Sequence, residues 1–162
     1  MSEGEEIERR FRPRGAPAEI EGATGHAVVQ RYLAVDGRTQ VRLRRKGEHR
    51  LLTIKSGGPG LARAEEELEL DEARFERLWA LAAGREVRKQ RYEVPLTDGL
   101  LAEVDVFEGH LDGLVVVEVE FPYVETARGF APPAWFGAEV TGDPRLANVA
   151  LAAADGPPPF PP

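Results

Sequence analysis

The sequence has no cysteine and only three histidines, and these absences remove several classes of site. Without thiols, the 162-residue chain forms no disulfide, no thiolate metal site and no cysteine nucleophile. His26, His49 and His110 stand far apart in the sequence, so a histidine-rich zinc site is not expected. Any metal ion should therefore be a hard cation bound by carboxylate oxygens.

An excess of basic charge and an apolar run of membrane-spanning length are also missing. The formal net charge is −7, from 21 basic and 28 acidic residues, which argues against general nucleic-acid binding but not against a local basic cavity. No signal peptide is recognised, so we expect a cytoplasmic protein with no membrane partner. We predict a single domain over residues 1–155, followed by a mobile proline-rich tail over 156–162.

What the sequence does contain is an alternation of charged and apolar residues. Near the N-terminus, Glu6, Glu8 and Arg10 fall on one face of a strand, and Ile7 falls on the other. The alternation recurs along the chain, separated by turn signals such as Asp36-Gly37. Strands are predicted over residues 5–11, 26–35, 39–46, 49–55, 61–70, 86–94, 100–107 and 114–121.

Three segments have the pattern of helices. Residues 71–83 follow Asp71, a plausible N-cap, and place Phe75, Leu78 and Trp79 on one stripe. A short helix is predicted over 124–130, and a last helix from Asp143 to about Ala154. The glycine-rich stretch 56–60 lacks the Gly-Lys-Ser/Thr ending of a phosphate-binding loop, so we interpret it as a plain connection.

The charged faces of the predicted strands contain almost no neutral polar residues, unlike an ordinary solvated sheet face. Such faces are costly to bury without water, a metal ion or an anionic ligand. A closed, mainly antiparallel barrel with its apolar face outward under the helices would gather them into one lumen. The lumen set is Glu6, Glu8, Glu65, Glu67, Glu69, Glu103, Asp105, Glu118, Glu120, Arg10, Arg42, Arg44, Lys55, Arg63, Lys89 and Arg91.

A lumen with charges of both signs has a specific chemical use. Arginine and lysine bind phosphate oxygens, while paired carboxylates bind Mg²⁺ or Mn²⁺. A bound metal ion can in turn neutralise phosphate charge and lower the pKa of an attacking water. This arrangement suits the hydrolysis of a phosphoanhydride, but the residues alone do not choose the substrate.

An ordered series of motifs resembles the CYTH superfamily, the triphosphate tunnel metalloenzymes, and most closely its short bacterial branch associated with inorganic triphosphatase activity. Glu6-x-Glu8-x-Arg10 resembles the ExExK signature of that superfamily. The resemblance implies an α+β fold in which a closed eight-stranded antiparallel β-barrel surrounds a charged tunnel, with flanking helices. It continues through 30–33, 41–44, 52–55, 63–69, 89–92, 103–107, 118–120 and 135–141, and so covers residues 5 to about 151.

The resemblance also implies roles for individual residues and a divalent cofactor, Mg²⁺ or Mn²⁺. Glu8, Glu118 and Glu120 would bind the metal ion that positions the attacking water, and Glu6 with Glu65 or Glu67 would serve a second one. Tyr32 would assist cleavage beside Arg10, which makes Arg10, Tyr32 and Glu8 the expected catalytic residues. The triphosphate-bearing substrate would be bound by Arg42, Arg44, Lys55, Arg63, Lys89 and Arg91.

One position departs from the family pattern, because Arg10 occupies the place of the signature lysine. Arginine keeps the charge but does not release a proton, so a proton-transfer role there is weakened. The leading hypothesis is a metal-dependent triphosphatase acting on inorganic tripolyphosphate or a related triphosphate. The alternatives are a catalytically weak triphosphate- or polyphosphate-binding module, or a nucleotide-directed member such as an adenylate cyclase or thiamine triphosphatase. The oligomeric state is left open, with a homodimer among the options.

Overall fold

The computed structural model describes residues 4–57 and 60–160, and for residues 83–85 it describes the backbone alone. Nine strands form one sheet in which every pair of neighbouring strands is antiparallel. The strands are β1 (Glu5–Arg12), β2 (His26–Asp36), β3 (Thr39–Lys46), β4 (His49–Ser56), β5 (Ala62–Glu69), β6 (Ala83–Pro95), β7 (Leu101–Phe107), β8 (Val115–Glu120) and β9 (Ala138–Glu139).

The sheet closes into a barrel because β1 pairs with a strand on each side. The strand order is β5-β4-β3-β2-β6-β7-β8-β1, and the N-terminal part of β1 returns to β5 with Glu5 opposite Ala64 and Ile7 opposite Ala62. The two-residue β9 extends the pairing at the other end of β1. Among the described strands, closure leaves no long edge exposed. The predicted closed eight-stranded antiparallel barrel with flanking helices is confirmed.

The apolar face of the barrel points outward and packs under the connecting segments. Phe11 on β1 is fully buried against Phe136, with 4.9 Å between the ring centroids. Phe121, just after β8, packs edge-on against Phe130. These contacts belong to a core that lies between the sheet, helix α2 (Val124–Gly129) and the 3-10 turn Ala134–Phe136. The outward apolar face thus leaves the lumen to the charged residues.

Helix α1 (Glu72–Trp79) begins as predicted but ends earlier. The Asp71 carboxylate accepts a hydrogen bond from the backbone N–H of Arg74, which caps the helix, and Phe75 and Trp79 pack on Leu43. The predicted end at residue 83 is wrong, because Ala83 already pairs with Tyr32 as the first residue of β6. Strand pairing overrides helix propensity at this position.

The C-terminal segment is not the single helix that the sequence predicts. Residues Pro144–Leu146 form a 3-10 turn, Ala147 is extended, and helix α3 covers Asn148–Ala153. The Leu146 carbonyl accepts a hydrogen bond of 2.7 Å from Nη1 of Arg10. This buried contact lies where the helical structure is interrupted, between the 3-10 turn and α3. It keeps the C-terminal segment at one end of the lumen.

The tail beyond Gly156, predicted to be mobile, contacts β1 as far as it is described. The Arg12 guanidinium donates hydrogen bonds of 2.8 Å to the Pro158 carbonyl and 3.0 Å to the Pro159 carbonyl. The ring of Phe160 lies against the same guanidinium. None of the described helices is long and apolar enough to cross a membrane.

Candidate active site

The barrel lumen contains a cavity of about 490 Å³, and its wall carries both signs of charge. Every residue that the sequence analysis assigned to a site contributes to this wall. They are Glu6, Glu8, Arg10, Tyr32, Arg42, Arg44, Lys55, Arg63, Glu65, Glu67, Lys89, Arg91, Glu118 and Glu120. Strand alternation places them together, because residues two apart on a strand share one face and the barrel brings those faces around one axis.

Some lining residues were not assigned to the site from the sequence. Gln40 and Lys46 continue the two-residue spacing of Arg42 and Arg44 on β3, so the alternation itself contained this signal. The segment 141–149 also lines the cavity, and no local pattern predicted that position. Conversely, Asp105 and Glu69 belong to the predicted lumen set but do not line the cavity.

One group of ion pairs joins β1, β4 and β5 across the seam of the barrel. The Lys55 ammonium lies 2.7 Å from Glu6 and 2.9 Å from Glu65. The Arg63 guanidinium lies 3.2 Å from Glu6 and 2.9 Å from Glu8. These four side-chain contacts neutralise part of the charge on the lumen wall, and they hold the β1 carboxylates against cations of β4 and β5.

A second group of ion pairs is centred on Asp105, which is fully buried on β7. Arg91 contacts both carboxylate oxygens of Asp105 at 2.7 Å, and the Lys89 ammonium also donates to this carboxylate. Burial would raise the pKa of Asp105, but Arg91 and Lys89 overcome this and hold that pKa below its usual value. Asp105 therefore acts as a fixed anion that orients two cations toward the cavity.

Arg42 differs from the other buried cations of the lumen. Arg42 is 6 % exposed, and among the described side chains it has no carboxylate partner and no acceptor for its Nε–H. It lies beside the hydroxyl of Tyr32. Because a buried charge without a partner is costly, the position favours an external anion.

Tyr32 retains its proton at neutral pH. Burial raises the pKa of the phenol, and the nearby guanidinium of Arg42 offsets only part of that rise. The phenol is therefore a hydrogen-bond and proton donor to the cavity, while a phenolate base is not available.

Arg10 connects three parts of the site. Its Nε lies 3.2 Å from the Glu118 carboxylate, its Nη1 donates to the Leu146 carbonyl, and its buried Nη2 has no acceptor among the described residues. Although burial alone raises the pKa of Glu118, Arg10 and Arg91 hold that pKa well below its ordinary value. Arg10 can thus bind an anion, but it cannot supply a proton.

The carboxylates of β1 and β8 have the chemistry of a hard-cation site. Glu8 lies opposite Glu120 in the strand pairing. Burial raises the pKa of Glu8 to about 7, and repulsion from Glu118 and Glu6 adds to this, despite the Arg63 contact. Burial and the neighbouring Glu6 and Glu65 also raise the pKa of Glu120. Such mutual repulsion between oxygen ligands is relieved by a divalent cation, so these residues fit Mg²⁺ or Mn²⁺.

The described carboxylates of the lumen do not converge on a common point. Within the described ranges, no three acidic or histidine side chains are close enough together to hold a metal ion. Glu6, Glu8, Glu65 and Glu118 instead contact arginine or lysine. A metal ion shared by these carboxylates would therefore require the ion pairs to rearrange.

Comparison with known proteins decides the family. The inorganic triphosphatase of Nitrosomonas europaea is 47% identical over 150 residues, which cover 91% of this chain and 96% of that protein. The chain belongs to the inorganic triphosphatases of the CYTH superfamily. A second member, the inorganic triphosphatase of Acetivibrio thermocellus, is 37% identical over 149 residues, covering 91% of this chain and 93% of that protein. No protein-family model matches the chain.

Solved structures agree with this membership of the inorganic triphosphatases. A crystal structure of an inorganic triphosphatase superposes with a TM-score of 0.65 at 41% identity, covering 92% of this chain and 95% of that one. A Hippeastrum protein studied as an adenylyl cyclase, with a dominant triphosphatase activity, superposes with a TM-score of 0.57 at 17% identity. It covers 76% of this chain and 83% of that one, and it supports the fold alone. The family resemblance stated from the sequence motifs is confirmed.

Proposed function

We propose that this family member hydrolyses inorganic tripolyphosphate inside the barrel with the help of a divalent metal ion. The observation that carries the proposal is the set of buried cations around the cavity, with Arg42 lacking any carboxylate partner among the described side chains. A linear polyanion can contact these cations together, whereas a singly charged ligand cannot. Membership of the inorganic triphosphatases supports the same substrate class.

In this proposal the cations of β3, β4 and β6 bind the phosphate oxygens. Arg42 and Arg44 offer planar guanidinium groups that suit bidentate contacts, while Lys55 and Lys89 act as point charges. Arg63 and Arg91 complete the set, and Asp105 keeps Arg91 in place. Apart from those of Arg42, which has no carboxylate partner among the described side chains, the contacts with the ligand replace parts of existing ion pairs, so binding costs little additional desolvation of charge.

The metal would be held by Glu8, Glu118 and Glu120, with Glu6 and either Glu65 or Glu67 serving a second ion. When bound there, Mg²⁺ or Mn²⁺ would supply neutralisation of phosphate charge and activation of water. The raised pKa values of Glu8 and Glu120 and the oxygen-only ligand set support this assignment. Both the identity of the metal and the ligand set are our proposal.

Proton transfer to the leaving phosphate is assigned to Tyr32 rather than Arg10. The phenol keeps its proton because burial raises its pKa, and it faces the cavity beside Arg42. Arg10 instead stabilises negative charge through its free Nη2 and orients Glu118. The arginine at this position thus retains the electrostatic role and leaves donation to the phenol.

The test is the release of phosphate from tripolyphosphate, pyrophosphate, ATP and thiamine triphosphate, with Mg²⁺ and with Mn²⁺. We expect turnover of tripolyphosphate to exceed that of the other substrates. Glu118→Gln should abolish metal-dependent turnover, whereas Glu125→Gln on exposed α2 should not. Thermal unfolding of both variants checks that they fold. Undiminished turnover by a folded Glu118→Gln variant would overturn the metal assignment.

A phosphate- or polyphosphate-binding module is the second candidate, because Arg10 cannot donate a proton. Tight binding of tripolyphosphate without turnover of any of the four substrates would establish that reading. Preferred turnover of ATP or thiamine triphosphate would instead indicate a nucleotide- or thiamine-directed member. We further propose that the protein works in the cytoplasm without nucleic acid or membrane partners. A homodimer stays a prediction, which light scattering of the purified chain tests.

A further inference from the structure

Gln30 is a buried polar side chain to which the proposed function gives no role. Gln30 lies on β2, two residues from Tyr32 and on the same strand face. It is 0 % exposed. Neither its Oε1 nor its Nε2 has a hydrogen-bond partner among the described side chains and backbone. A buried amide without partners typically costs a folded protein stability, so its presence in the lumen requires a reason.

The cross-strand neighbour of Gln30 has a complementary unpaired atom. Gln30 lies directly opposite Arg44 in the β2–β3 pairing, and the Arg44 side chain lines the cavity. The Nε–H of Arg44 is buried and likewise has no acceptor in the described part of the chain. Directly opposed residues of an antiparallel pair have Cβ atoms about 5 Å apart, which is within reach of two long side chains. A buried acceptor and a buried donor therefore face the same small region.

In this structure the Arg44 guanidinium contacts Glu67 and not Gln30. Its Nη2 donates to the Glu67 carboxylate at 2.9 Å, and the hydroxyl of Thr53 donates to the same oxygen at the same distance. A guanidinium that binds a phosphate bidentately uses one edge of its plane, and the rest of the plane needs a fixed partner. The Nε–H edge of Arg44 can obtain that partner from Gln30 when the guanidinium turns from Glu67 toward the cavity.

We propose that Gln30 is a positioning residue. Its Oε1 accepts a hydrogen bond from the Nε–H of Arg44 and so directs the two Nη groups of Arg44 toward the phosphate chain. This inference rests on the proposed function, because it assumes a phosphate ligand in the cavity. A neutral amide suits the role better than a carboxylate, since it fixes the guanidinium without neutralising the charge that binds phosphate. Gln30 thereby acts through Arg44 and does not itself touch the substrate.

A double-mutant cycle on the full chain tests the coupling between Gln30 and Arg44. The four proteins are the wild type, Gln30→Met, Arg44→Lys and the double variant. For each we would measure KM and kcat for tripolyphosphate, and the Kd for tripolyphosphate without metal. Methionine is nearly isosteric with glutamine but accepts almost no hydrogen bond. Gln30→Met should raise KM and Kd about five- to tenfold in the wild-type background, with a much smaller effect on kcat. In the Arg44→Lys background, where no Nε–H exists, the same change should have less than about a twofold effect.

The matched control is Gln90→Met on β6, where the amide contacts Glu108 on the outside of the barrel. Its KM should equal that of the wild type. Thermal unfolding of Gln30→Met without ligand distinguishes the positioning role from a structural one. Removal of an unpaired amide should leave the melting temperature unchanged or raise it. A lower melting temperature with unchanged KM would overturn the proposal, and so would equal effects of Gln30→Met in both backgrounds.

An independent readout needs no variant at position 30. The ¹⁵N-detected Nε–H resonance of Arg44, assigned from its loss in Arg44→Lys, should become protected from solvent exchange when tripolyphosphate binds. Rapid exchange of this proton in the complex would overturn the proposal. Wild-type assays judge the proposed function separately. A chain that binds tripolyphosphate without turnover leaves this inference standing, and a chain that does not bind it overturns both.

Discussion

At the scale of single residues, the partner of a lumen cation decides what that cation does. Arg91 contacts Glu103, Asp105 and Glu118, and these contacts raise its pKa well above the ordinary value although burial opposes the rise. Arg42, equally buried, has no carboxylate among the described side chains. Two arginines of the same lumen therefore differ in their surroundings. The charge of Arg91 is neutralised by carboxylates of the protein, whereas the charge of Arg42 is available to an anionic ligand.

Arg42→Gln should weaken binding of tripolyphosphate strongly without loss of stability. A hydrogen bond to a charged group contributes about 1.5–3 kcal/mol, so KM should rise about 10- to 100-fold. Removing a buried charge that lacks a partner should leave the melting temperature of the free protein unchanged or higher. Steady-state kinetics and thermal unfolding measure the two effects. Arg74→Gln, at an exposed position on α1, is the control, and an unchanged KM for Arg42→Gln would contradict the prediction.

Lys89 should make substrate binding depend on pH. Burial, together with the positive charge of Arg91, lowers the pKa of the Lys89 ammonium to about 8, although Asp105 opposes the shift. Below that pH the lysine is charged and attracts phosphate. Above it the free protein loses the charge, so the Kd for tripolyphosphate should increase as the pH rises from 7 to 9.

Calorimetric titration across this pH range checks the prediction. Lys89→Arg keeps its charge throughout and should flatten the dependence. A wild-type Kd that does not change between pH 7 and 9 would show that Lys89 stays charged or does not contact the ligand.

At the scale of elements, strand β1 serves both surfaces of the barrel. Its lumen face contributes Glu6, Glu8 and Arg10, while Arg9 on the other face organises the outer layer. The Arg9 guanidinium forms two hydrogen bonds with Glu139 of β9 and donates to the carbonyls of Ala127 and Phe130 at the end of α2. One arginine thus attaches a helix and a short strand to the barrel wall.

Arg9→Ala should destabilise the fold without changing the lumen. The change leaves the two carbonyls at the end of α2 without their charged donor and removes ring contacts with Phe11 and Phe130. We expect a loss of about 2 kcal/mol in the free energy of unfolding, with the exposed Glu139 pair contributing little. Urea denaturation measures the loss, and Arg128→Gln on the exposed face of α2 is the control. An Arg9→Ala variant as stable as the control would refute the assigned role.

At the scale of the whole molecule, barrel closure gives the charged residues their function. The seam between β1 and β5 has only three paired residues on each strand, and the Lys55 and Arg63 ion pairs to Glu6 cross the same region. The lumen cations belong to strands around the circumference, on β1, β3, β4, β5 and β6. A ligand that contacts several of them therefore links parts of the chain that are distant in sequence.

Tripolyphosphate without metal should therefore stabilise the folded protein against heat. At a concentration one hundred times Kd, ligand binding adds about 2.7 kcal/mol, which corresponds to about 5–10 °C for a chain of this size. Differential scanning fluorimetry measures the shift. Orthophosphate, which spans fewer cations, should give a much smaller one, and Arg42→Gln should reduce the shift by tripolyphosphate. Equal shifts with both anions would indicate a general salt effect.

The sequence by itself determined the barrel and the composition of its lumen. Two-residue alternation assigns each strand residue to a face, and this is a local property of the chain, so Glu6, Glu8 and Arg10 could be placed in the lumen from their spacing. Every candidate site residue that the family motifs named lines the cavity, although other lining residues, such as those of the segment 141–149, were not named. Even Gln40 and Lys46 could have been found by extending the same spacing along β3.

Only the tertiary structure decided the partners of those residues and the breaks in the helices. Asp105 lies between Arg91 and Lys89, whereas among the described residues Arg42 has no carboxylate partner and the Gln30 amide has no hydrogen-bond partner. No local pattern distinguishes these cases. Likewise the pairing of Ala83 with Tyr32 accompanies the end of α1, and the Arg10 contact with Leu146 accompanies the break before α3. The physical reason is that ion pairs and hydrogen bonds between distant strands depend on register and closure, which the spacing of residues along one strand does not contain.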